Sequence, residues 1–308
     1  MNQFLAFLGL VAASPLSWCQ PTIQAVVNAA TFQGGLPYGG GLATIFVSGL
    51  TGPPGTYVAP SSAPLPFVLA GVGVEVNYTL APILAVVIPP GGQSAVAQIN
   101  FQVPLERNAS IRSHAPNGFP GYLTVMQPQG GGTVIRAPLE DPPFTGGFFS
   151  DGNGYAIAQH ASEYSTVTVQ NPAHAGETII AYANDLYPVW PPTPIGFPVP
   201  QQPLFQFTDG SPFGTYIPSP GNLYLQEYPG QAVTPAQGIV PPNTPPLTIL
   251  FQGLAPGLVG VEQINFVVPA NQQPGDWPLF FDTGCPPGQI SACPGGGNAS
   301  PSVKLPIR

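Results

Sequence analysis

Histidines are the first residues in this chain that could do chemistry, and their spacing favours no reaction. The chain of 308 residues contains three of them, His114, His160 and His174, and none stands at metal-ligand spacing from another histidine or cysteine. We expect each to be a surface or loop residue. A catalytic Ser-His-Asp triad combines residues that are distant in sequence. The Gly-x-Ser-x-Gly turn that presents the nucleophile in one large class of hydrolases does not occur here.

Carboxylates give a similarly weak signal. Glycoside hydrolysis uses two facing carboxylates, which Glu140, Asp141 and Glu163 could supply, but acidic residues beside a turn are usually solvated. Residues 151–154, Asp-Gly-Asn-Gly, predict a turn. Their alternating oxygens resemble a calcium loop, although the glutamate that ends the 12-residue pattern is missing. The sequence therefore predicts no catalytic residue, no cofactor and no metal, and a hydrolase is the weakest hypothesis.

Two cysteines are predicted to form a disulfide. Cleavage of an export signal after Cys19 leaves Cys285 and Cys293, with seven residues between them. An even number of cysteines in an exported chain indicates a disulfide. A metal site would need further histidine or cysteine nearby, and the sequence has none there. Closing so short a loop stabilises by less than about 3 kcal/mol.

The N-terminus predicts export. Residues 4–13 form an apolar run that is too short to span a bilayer. Ser17 and Cys19 provide small residues at −3 and −1 of a cleavage site, and a cut after Ala13 is the alternative. The same region resembles a lipoprotein box, but Trp18 stands where a small residue is required. We expect a signal peptide over residues 1–19 and a secreted or cell-surface protein, with no later membrane span.

Charge and composition exclude several classes of protein. Five basic residues against 13 acidic ones give a net charge of −8, so neither nucleic acid nor an anionic membrane is an expected partner. The 44 prolines and 38 glycines exclude long helices. The 44% hydrophobic content with only 6% charge excludes a disordered chain. An extracellular protein or polysaccharide remains as the expected partner.

An internal repeat organises the chain. Residues 97–104 recur as residues 262–269 with six of eight positions identical, at an offset of 263 − 98 = 165. Residues 41–50 likewise parallel residues 176–186, and each copy has a possible hairpin downstream. Short β-branched and aromatic runs between Gly and Pro clusters predict an all-β sandwich or barrel. The expected strands cover residues 44–47, 72–78, 83–88, 166–169, 178–183 and 247–251.

This repeat predicts two tandem domains, each an all-β sandwich or barrel. We place the first domain at residues 20–145, a linker at 146–165 and the second domain at 166–308. From Leu50 to Gln98 is 48 residues, whereas from Leu186 to Gln263 is 77, so the second copy carries about 29 extra residues within 188–246.

The insertion at 188–246 has two interpretations. Its many prolines and aromatics are typical of an extended loop that is fastened to its own domain. They also fit an aromatic binding surface, for which Tyr187 and Trp190 are the candidate ligand contacts.

The repeated Gln-Ile-Asn-Phe motif predicts a strand with two different faces. Alternation puts the apolar residues of residues 99–103 on one face, with Gln98 and Asn100 on the other, and Gln263 and Asn265 take the same places in the second copy. We expect these amides to hydrogen-bond a neighbouring loop or the joint between the domains. Contact with a ligand is the alternative.

These motifs resemble the uncharacterised Solibacter-type C-terminal domain of secreted acidobacterial proteins, in two copies. The resemblance lies in residues 26–32 with 41–46, in the Gln-Ile-Asn-Phe-x-Val-Pro motif at 98–104 and 263–269, and in residues 254–265. It covers residues 21–308 and implies an immunoglobulin-like sandwich related to IPT/TIG modules, outside the cell, with no activity attached. The first hypothesis is a non-enzymatic module pair for adhesion, assembly or surface structure. The alternative is a carbohydrate- or peptide-binding module that uses the insertion.

Overall fold

The fold is built from antiparallel β-sheets, as the sequence predicts. The computed structural model describes residues 22–60, 64–92, 95–105, 121–127, 133–139, 145–186, 194–201, 222–225, 247–282 and 300–308. Across these ranges the regular structure is β-strand, which confirms the all-β class. No helix in the described ranges has the length and apolar character needed to cross a bilayer.

The described residues of the N-terminal half form ten strands in two sheets. Sheet 1 has the order β1-β2-β8-β7-β3, and sheet 2 has the order β10-β9-β5-β4 with β6 paired to β5. The strands are β1 (Thr22–Asn28), β2 (Leu42–Ser48), β3 (Gly55–Val58), β4 (Val68–Leu69), β5 (Val72–Val76), β6 (Thr79–Leu80), β7 (Ile83–Ile88), β8 (Val96–Gln102), β9 (Gly121–Gln127) and β10 (Thr133–Leu139). We call sheets 1 and 2 the first sheet pair.

Eight strands in the C-terminal half form two further sheets. Sheet 3 has the order β11-β13-β16-β15 with β12 paired to β13, and sheet 4 has the order β14-β17-β18. The strands are β11 (Gly147–Phe148), β12 (Ala158–His160), β13 (Thr178–Asn184), β14 (Asn222–Leu225), β15 (Thr248–Leu254), β16 (Glu262–Val267), β17 (Gly275–Asp282) and β18 (Val303–Ile307). We call sheets 3 and 4 the second sheet pair.

Each sheet pair encloses its own hydrophobic cluster. In the first, Ile99 and Phe101 of β8 pack with Val74 of β5, and all three are fully buried. In the second, Phe266 of β16 packs with Phe281 of β17 in the same way. Burying side chains of this size contributes roughly 1.5–3 kcal/mol each, so the apolar residues of the repeated motif contribute to both cores. The prediction that its apolar residues share one face is confirmed.

The repeat found in the sequence has the same strand register in both halves. Ile99 of the first motif lies opposite Ile45, and Ile264 of the second lies opposite Ala181. On the other side of the motif strand, the register shifts at the same place, between Ile83 and Ala85 in β7 and between residues 249 and 251 in β15. Such a shift marks a β-bulge, a feature that bends a strand locally.

Three local predictions have clear outcomes. The hairpins on either side of the two Gly-rich tips form as expected, as β9 with β10 and β17 with β18. Residues 166–169 are not a strand, because they make one isolated bridge, between Gln159 and Thr166. The predicted linker at 146–165 is also wrong. It contains β11 and β12, which pair with β13, and its Phe148 and Ala158 are part of the second core.

Candidate functional site

The most distinctive polar site is a buried joint between the two sheet pairs. Asn184, at the end of β13, is fully buried. Its Oδ1 accepts a hydrogen bond from the backbone N–H of Leu42 at 2.8 Å, and its Nδ2 donates to the carbonyl oxygen of Leu42 at 2.7 Å. One amide thus pairs with both backbone groups at the start of β2. The second sheet pair therefore holds the first by a geometry that a side chain other than an amide could not reproduce.

Three further side chains extend this joint. The Nδ2 of Asn184 also donates to Oδ1 of Asn28 at 2.9 Å, and Asn28 is itself fully buried. Thr145 donates to Oδ2 of Asp185 at 2.9 Å, while Oδ1 of Asp185 accepts the backbone N–H of Tyr38 at 2.5 Å. Asp185 is 4% exposed, so these two hydrogen bonds replace the hydration that its carboxylate loses on burial. We call Asn28, Thr145, Asn184 and Asp185 the polar joint.

A second contact is made by residues 194–201, one of the two described parts of the insertion; the other, β14, pairs with β17 in the second sheet pair. Gln102, at the end of β8, accepts the backbone N–H of Gly196 through Oε1 at 2.7 Å, and the carbonyl of Gly196 accepts the N–H of Leu65 at 2.7 Å. Three residues later, the N–H of Val199 donates to the carbonyl of Leu258 at 2.9 Å. Residues 194–201 therefore bind both sheet pairs. The expectation that the insertion fastens to its own domain is incomplete for this part.

Glycines allow close approach at the joint. A Cβ added at Gly260 would lie 2.7 Å from Leu42 and 2.9 Å from the carbonyl oxygen of Gly40, both in the first sheet pair. A Cβ at Gly147 would lie 2.7 Å from Thr31. A contact shorter than 3.0 Å requires a neighbouring atom to shift, and at Gly260 one of these atoms is a backbone oxygen, so this position needs glycine for packing.

The repeated amides make a different contact from the one expected. Gln98 donates to Oδ1 of Asn100 at 2.9 Å, and Gln263 donates to Oδ1 of Asn265 at 2.8 Å. All four are half-buried on the face of the sheet that points away from the core. The described hydrogen bonds of these amides run along the strand and to a neighbouring strand, so they stabilise the motif strand itself.

The two asparagines of the motif differ in one hydrogen-bond partner, so replacing them should destabilise the protein to different extents. Asn100 also accepts from the hydroxyl of buried Thr44 at 3.0 Å, whereas the residue opposite Asn265 is Ile180, which has no donor. Asn100→Ala should lower the free energy of unfolding by about 1–2 kcal/mol, because it leaves the Thr44 hydroxyl unpaired, and Asn265→Ala by about 1 kcal/mol or less. Urea denaturation of both variants measures this difference. Equal effects, or a larger effect at Asn265, would contradict this assignment.

His160 is a core residue, not the surface residue expected. Its side chain is 3% exposed, and its Nδ1 lies 2.5 Å from Oε1 of Glu177. Its Nε2 lies 3.2 Å from the carbonyl oxygen of Asn171. With both nitrogens engaged, the ring fixes the 171–177 loop to β12 and is not free to act as a general base. His174 is 65% exposed, as predicted, and its backbone N–H donates to the other oxygen of Glu177 at 2.8 Å.

The position of His160 matches that of Asn28 in the first half. The amide of Phe32 bonds the carbonyl of Asn28 at 3.0 Å, and the amide of Tyr164 bonds the carbonyl of His160 at 2.8 Å. Both aromatic residues have positive φ, 56° and 58°. This turn is a further part of the repeat that sequence comparison missed, because it preserves backbone shape while nearly all its side chains differ.

The Asp-Gly-Asn-Gly stretch at 151–154 forms the predicted turn. Oδ1 of Asp151 accepts the backbone N–H of Tyr155 and that of Asn153, each at 2.8 Å. Tyr155 in turn donates its hydroxyl to Asp276 at 2.8 Å, and Nζ of Lys304 lies 5.0 Å from the Tyr155 ring centre. The carboxylate of Asp151 thus accepts hydrogen bonds from the backbone of its own turn. Within the described ranges no group of three or more His, Cys, Asp or Glu side chains could hold a metal ion.

A titration tests this turn. The backbone N–H of Tyr155, followed by that of Asn153, lowers the pKa of Asp151 below its ordinary value of 3.8. A lowered pKa means that the stabilisation is present above pH 3.8 and is lost as the pH falls through the lower folded-state pKa. We expect the carboxyl NMR signal of Asp151 to titrate below 3.8. The spectrum of the Asp151→Asn variant should lose that signal alone, which assigns it. A midpoint at or above that value would contradict the observed hydrogen bonds.

Several predicted residues lie outside the described residues. They are the proposed disulfide pair Cys285 and Cys293, the candidate ligand contacts Tyr187 and Trp190, His114, and the carboxylates Glu140 and Asp141. The remaining carboxylate, Glu163, is exposed and accepts a hydrogen bond from Ser165 at 2.8 Å. The described ranges therefore bring no predicted catalytic pair together.

Comparison with known proteins adds no family to this picture. The chain matches none of the protein-family models searched, and no curated protein sequence matches it.

Proposed function

We propose that this chain is a secreted or cell-surface, non-enzymatic pair of immunoglobulin-like modules with a role in adhesion, assembly or surface structure. The observation that carries the proposal is the polar joint. Its amides and its hydroxyl form hydrogen bonds with groups of the protein itself. The polar joint therefore fixes the two sheet pairs to each other and leaves none of these groups for a substrate. A rigid connection transmits force from one sheet pair to the other and keeps the distance between them constant. Both properties suit a protein that links structures at the cell surface.

The joint is better suited to holding than to switching. Asn28 and Asn184 are completely buried, and the side-chain hydrogen bonds of Asn184 span 142 to 156 residues of sequence. Opening the joint would expose these amides while breaking the 194–201 contacts at the same time. Interfaces that move during function are normally wetter and less saturated than this.

Cell fractionation and envelope binding test the proposal. We expect the protein in the culture fluid or on the cell surface, and purified protein to sediment with isolated cell envelope. An Asn184→Ala variant should be retained less well, whereas Ser48→Ala, at the equivalent strand end of the first half, should be retained normally. Cytoplasmic location, or hydrolysis of envelope polymers by the purified protein, would contradict the proposal.

A carbohydrate- or peptide-binding module is the second candidate. The aromatic content of residues 188–246 supports it, since aromatic rings with polar tips are common at binding surfaces. Binding to a glycan or peptide array that disappears in Trp190→Ala and persists in Phe197→Ala would establish it. Arrays without signal, together with normal envelope retention, would leave the first candidate.

A further inference from the structure

We infer that the free edge of β15 is an interaction surface for a second copy of this chain, which adds one more antiparallel strand to sheet 3. The inference rests on the assembly role proposed above and names its partner. Three observations meet at this strand: among the described residues its outer edge has no strand partner and one of its buried amide oxygens has no donor, and its sequence carries no charge.

The first half shows what covers this edge when it is occupied. In sheet 1, β7 lies between β8 and β3, and β3 pairs Tyr57 with Val86 and Val58 with Ala85. The carbonyl of the bulge residue Leu84 accepts the N–H of Ala59 at 2.8 Å. The β7 edge, including its bulge, is therefore a surface on which an antiparallel strand fits.

The described residues of the second half contain the same strand and bulge without a covering strand. Among the described residues, β15 pairs with β16 alone and ends the order of sheet 3. β3 begins at Gly55, five residues after Leu50, whereas five residues after Leu186 the sequence has Pro191, followed by another proline. Proline has no N–H to donate to a strand ladder, so two of the donors that the β3 sequence offers are missing from the sequence at this place.

Gln252 carries the second observation. It lies opposite Ile264, just as Val86 lies opposite Ile99, so it holds the core-side position of Val86. Its Oε1 is buried and has no hydrogen-bond partner among the described residues. A buried acceptor without a donor is destabilising, so a ligand that supplies a donor here is favoured.

A second copy supplies that donor by symmetry. If two β15 strands pair antiparallel about Gln252, the two Gln252 side chains lie directly opposite and each Nε2 can donate to the other Oε1. The same register sets Phe251 opposite Gly253 of the second copy, which places a large ring beside a residue that has no side chain. The strand Thr-Ile-Leu-Phe-Gln-Gly-Leu is thus complementary to itself.

Charge favours this partner as well. Strand β15 contains no Lys, Arg, Asp or Glu, although exposed edges usually carry such residues to prevent pairing. Leu250, at the bulge, is 59% exposed on this strand. Two copies can therefore approach along β15 without bringing like charges together, despite a net charge of −8 on each chain.

Sedimentation of purified protein tests the inference. We expect a dimer at concentrations up to about 100 µM, with a dissociation constant that Leu250→Lys raises by about tenfold or more, because each added ammonium group would lie opposite the apolar Leu254 of the second copy and lose hydration without gaining a partner. Leu258→Lys, also exposed but beyond the strand, should leave the constant unchanged. A monomer throughout this range, or a dimer indifferent to Leu250→Lys, would overturn the inference.

Cross-linking fixes the register. With the three native cysteines replaced by serine, Gln252→Cys should form an intermolecular disulfide, since opposite residues of an antiparallel pair have Cβ atoms about 4.5–5.5 Å apart. Val58→Cys, 70% exposed on the edge strand of sheet 1, should remain reduced. Cross-linking of both variants, or of neither, would overturn the assigned edge. Envelope retention is measured separately, so failure of the dimer is distinguishable from failure of the proposed function.

Discussion

Replacing Asn184 with alanine is expected to lower the free energy of unfolding by about 2–4 kcal/mol. The substitution removes the acceptor of the Leu42 N–H and a donor to Asn28, both at fully buried or nearly buried positions. A buried donor that loses its partner keeps the cost of its lost hydration, which is larger than the gain from the hydrogen bond itself. Chemical denaturation followed by circular dichroism measures the change.

Ser48→Ala is the matched control for this substitution. Thr44 lies opposite Asn100 and Ile180 lies opposite Asn265, so Ser48 and Asn184 each follow by four residues the partner of a motif asparagine. Ser48 accepts one partly buried hydrogen bond, from Gln24 at 3.0 Å. We expect a loss of about 1 kcal/mol or less there. Similar losses for both variants would show that the joint contributes no more than an ordinary side-chain contact.

Gly260→Ala is the second substitution with a large expected effect, about 2–4 kcal/mol. Gly260 has φ of +66°, and its missing Cβ leaves room for Leu42 and for the carbonyl of Gly40 across the joint. The new methyl group must push the two sheet pairs apart or distort the turn before β16. Thermal and urea denaturation report the loss, and the two methods should agree.

Gly257→Ala separates packing from backbone strain. Gly257 has φ of +80°, so alanine is strained there as well, but its nearest described neighbour is the movable end of Gln201 at 3.2 Å. We expect a loss of about 1 kcal/mol at Gly257 from strain alone. If both substitutions cost the same, the close approach at Gly260 does not matter and the joint is looser than described.

The sequence was sufficient for the strand pattern of the cores. Ile99 and Phe101 alternate with amides, and a period of two is a local property that survives any arrangement of the sheets. The matching bulges of β7 and β15 follow from the same repeat, although no residue type at these positions predicts a bulge.

Turn chemistry explains one wrong prediction. The Asp-Gly-Asn-Gly stretch at 151–154 lies in the predicted linker between the two copies of the repeat, and it forms the turn that its residues favour. The turn joins strands that belong to the same sheet, since β11 and β12 both pair with β13. Local turn signals do not distinguish a tip within a domain from a connection between domains.

The polar joint could not be predicted because its contacts are distant in sequence. Asn28 and Asn184 lie 156 residues apart, and an asparagine at the end of a strand is too common to indicate a contact between domains. His160 was misplaced for a related reason: it stands where Asn28 stands in the first half, in a turn whose shape is repeated without its side chains. A comparison of residues 157–165 with 25–33 was the signal that could have revealed it.

A distance measurement between the two sheet pairs tests the central claim, that the polar joint holds them as one rigid unit. Spin labels at Val58 and Tyr164, which are 70% and 68% exposed, report on the first and second pair without disturbing either core. Double electron–electron resonance should give one narrow distance peak in the unsubstituted joint and a broadened distribution in Asn184→Ala. A broad distribution with the joint intact would contradict the account.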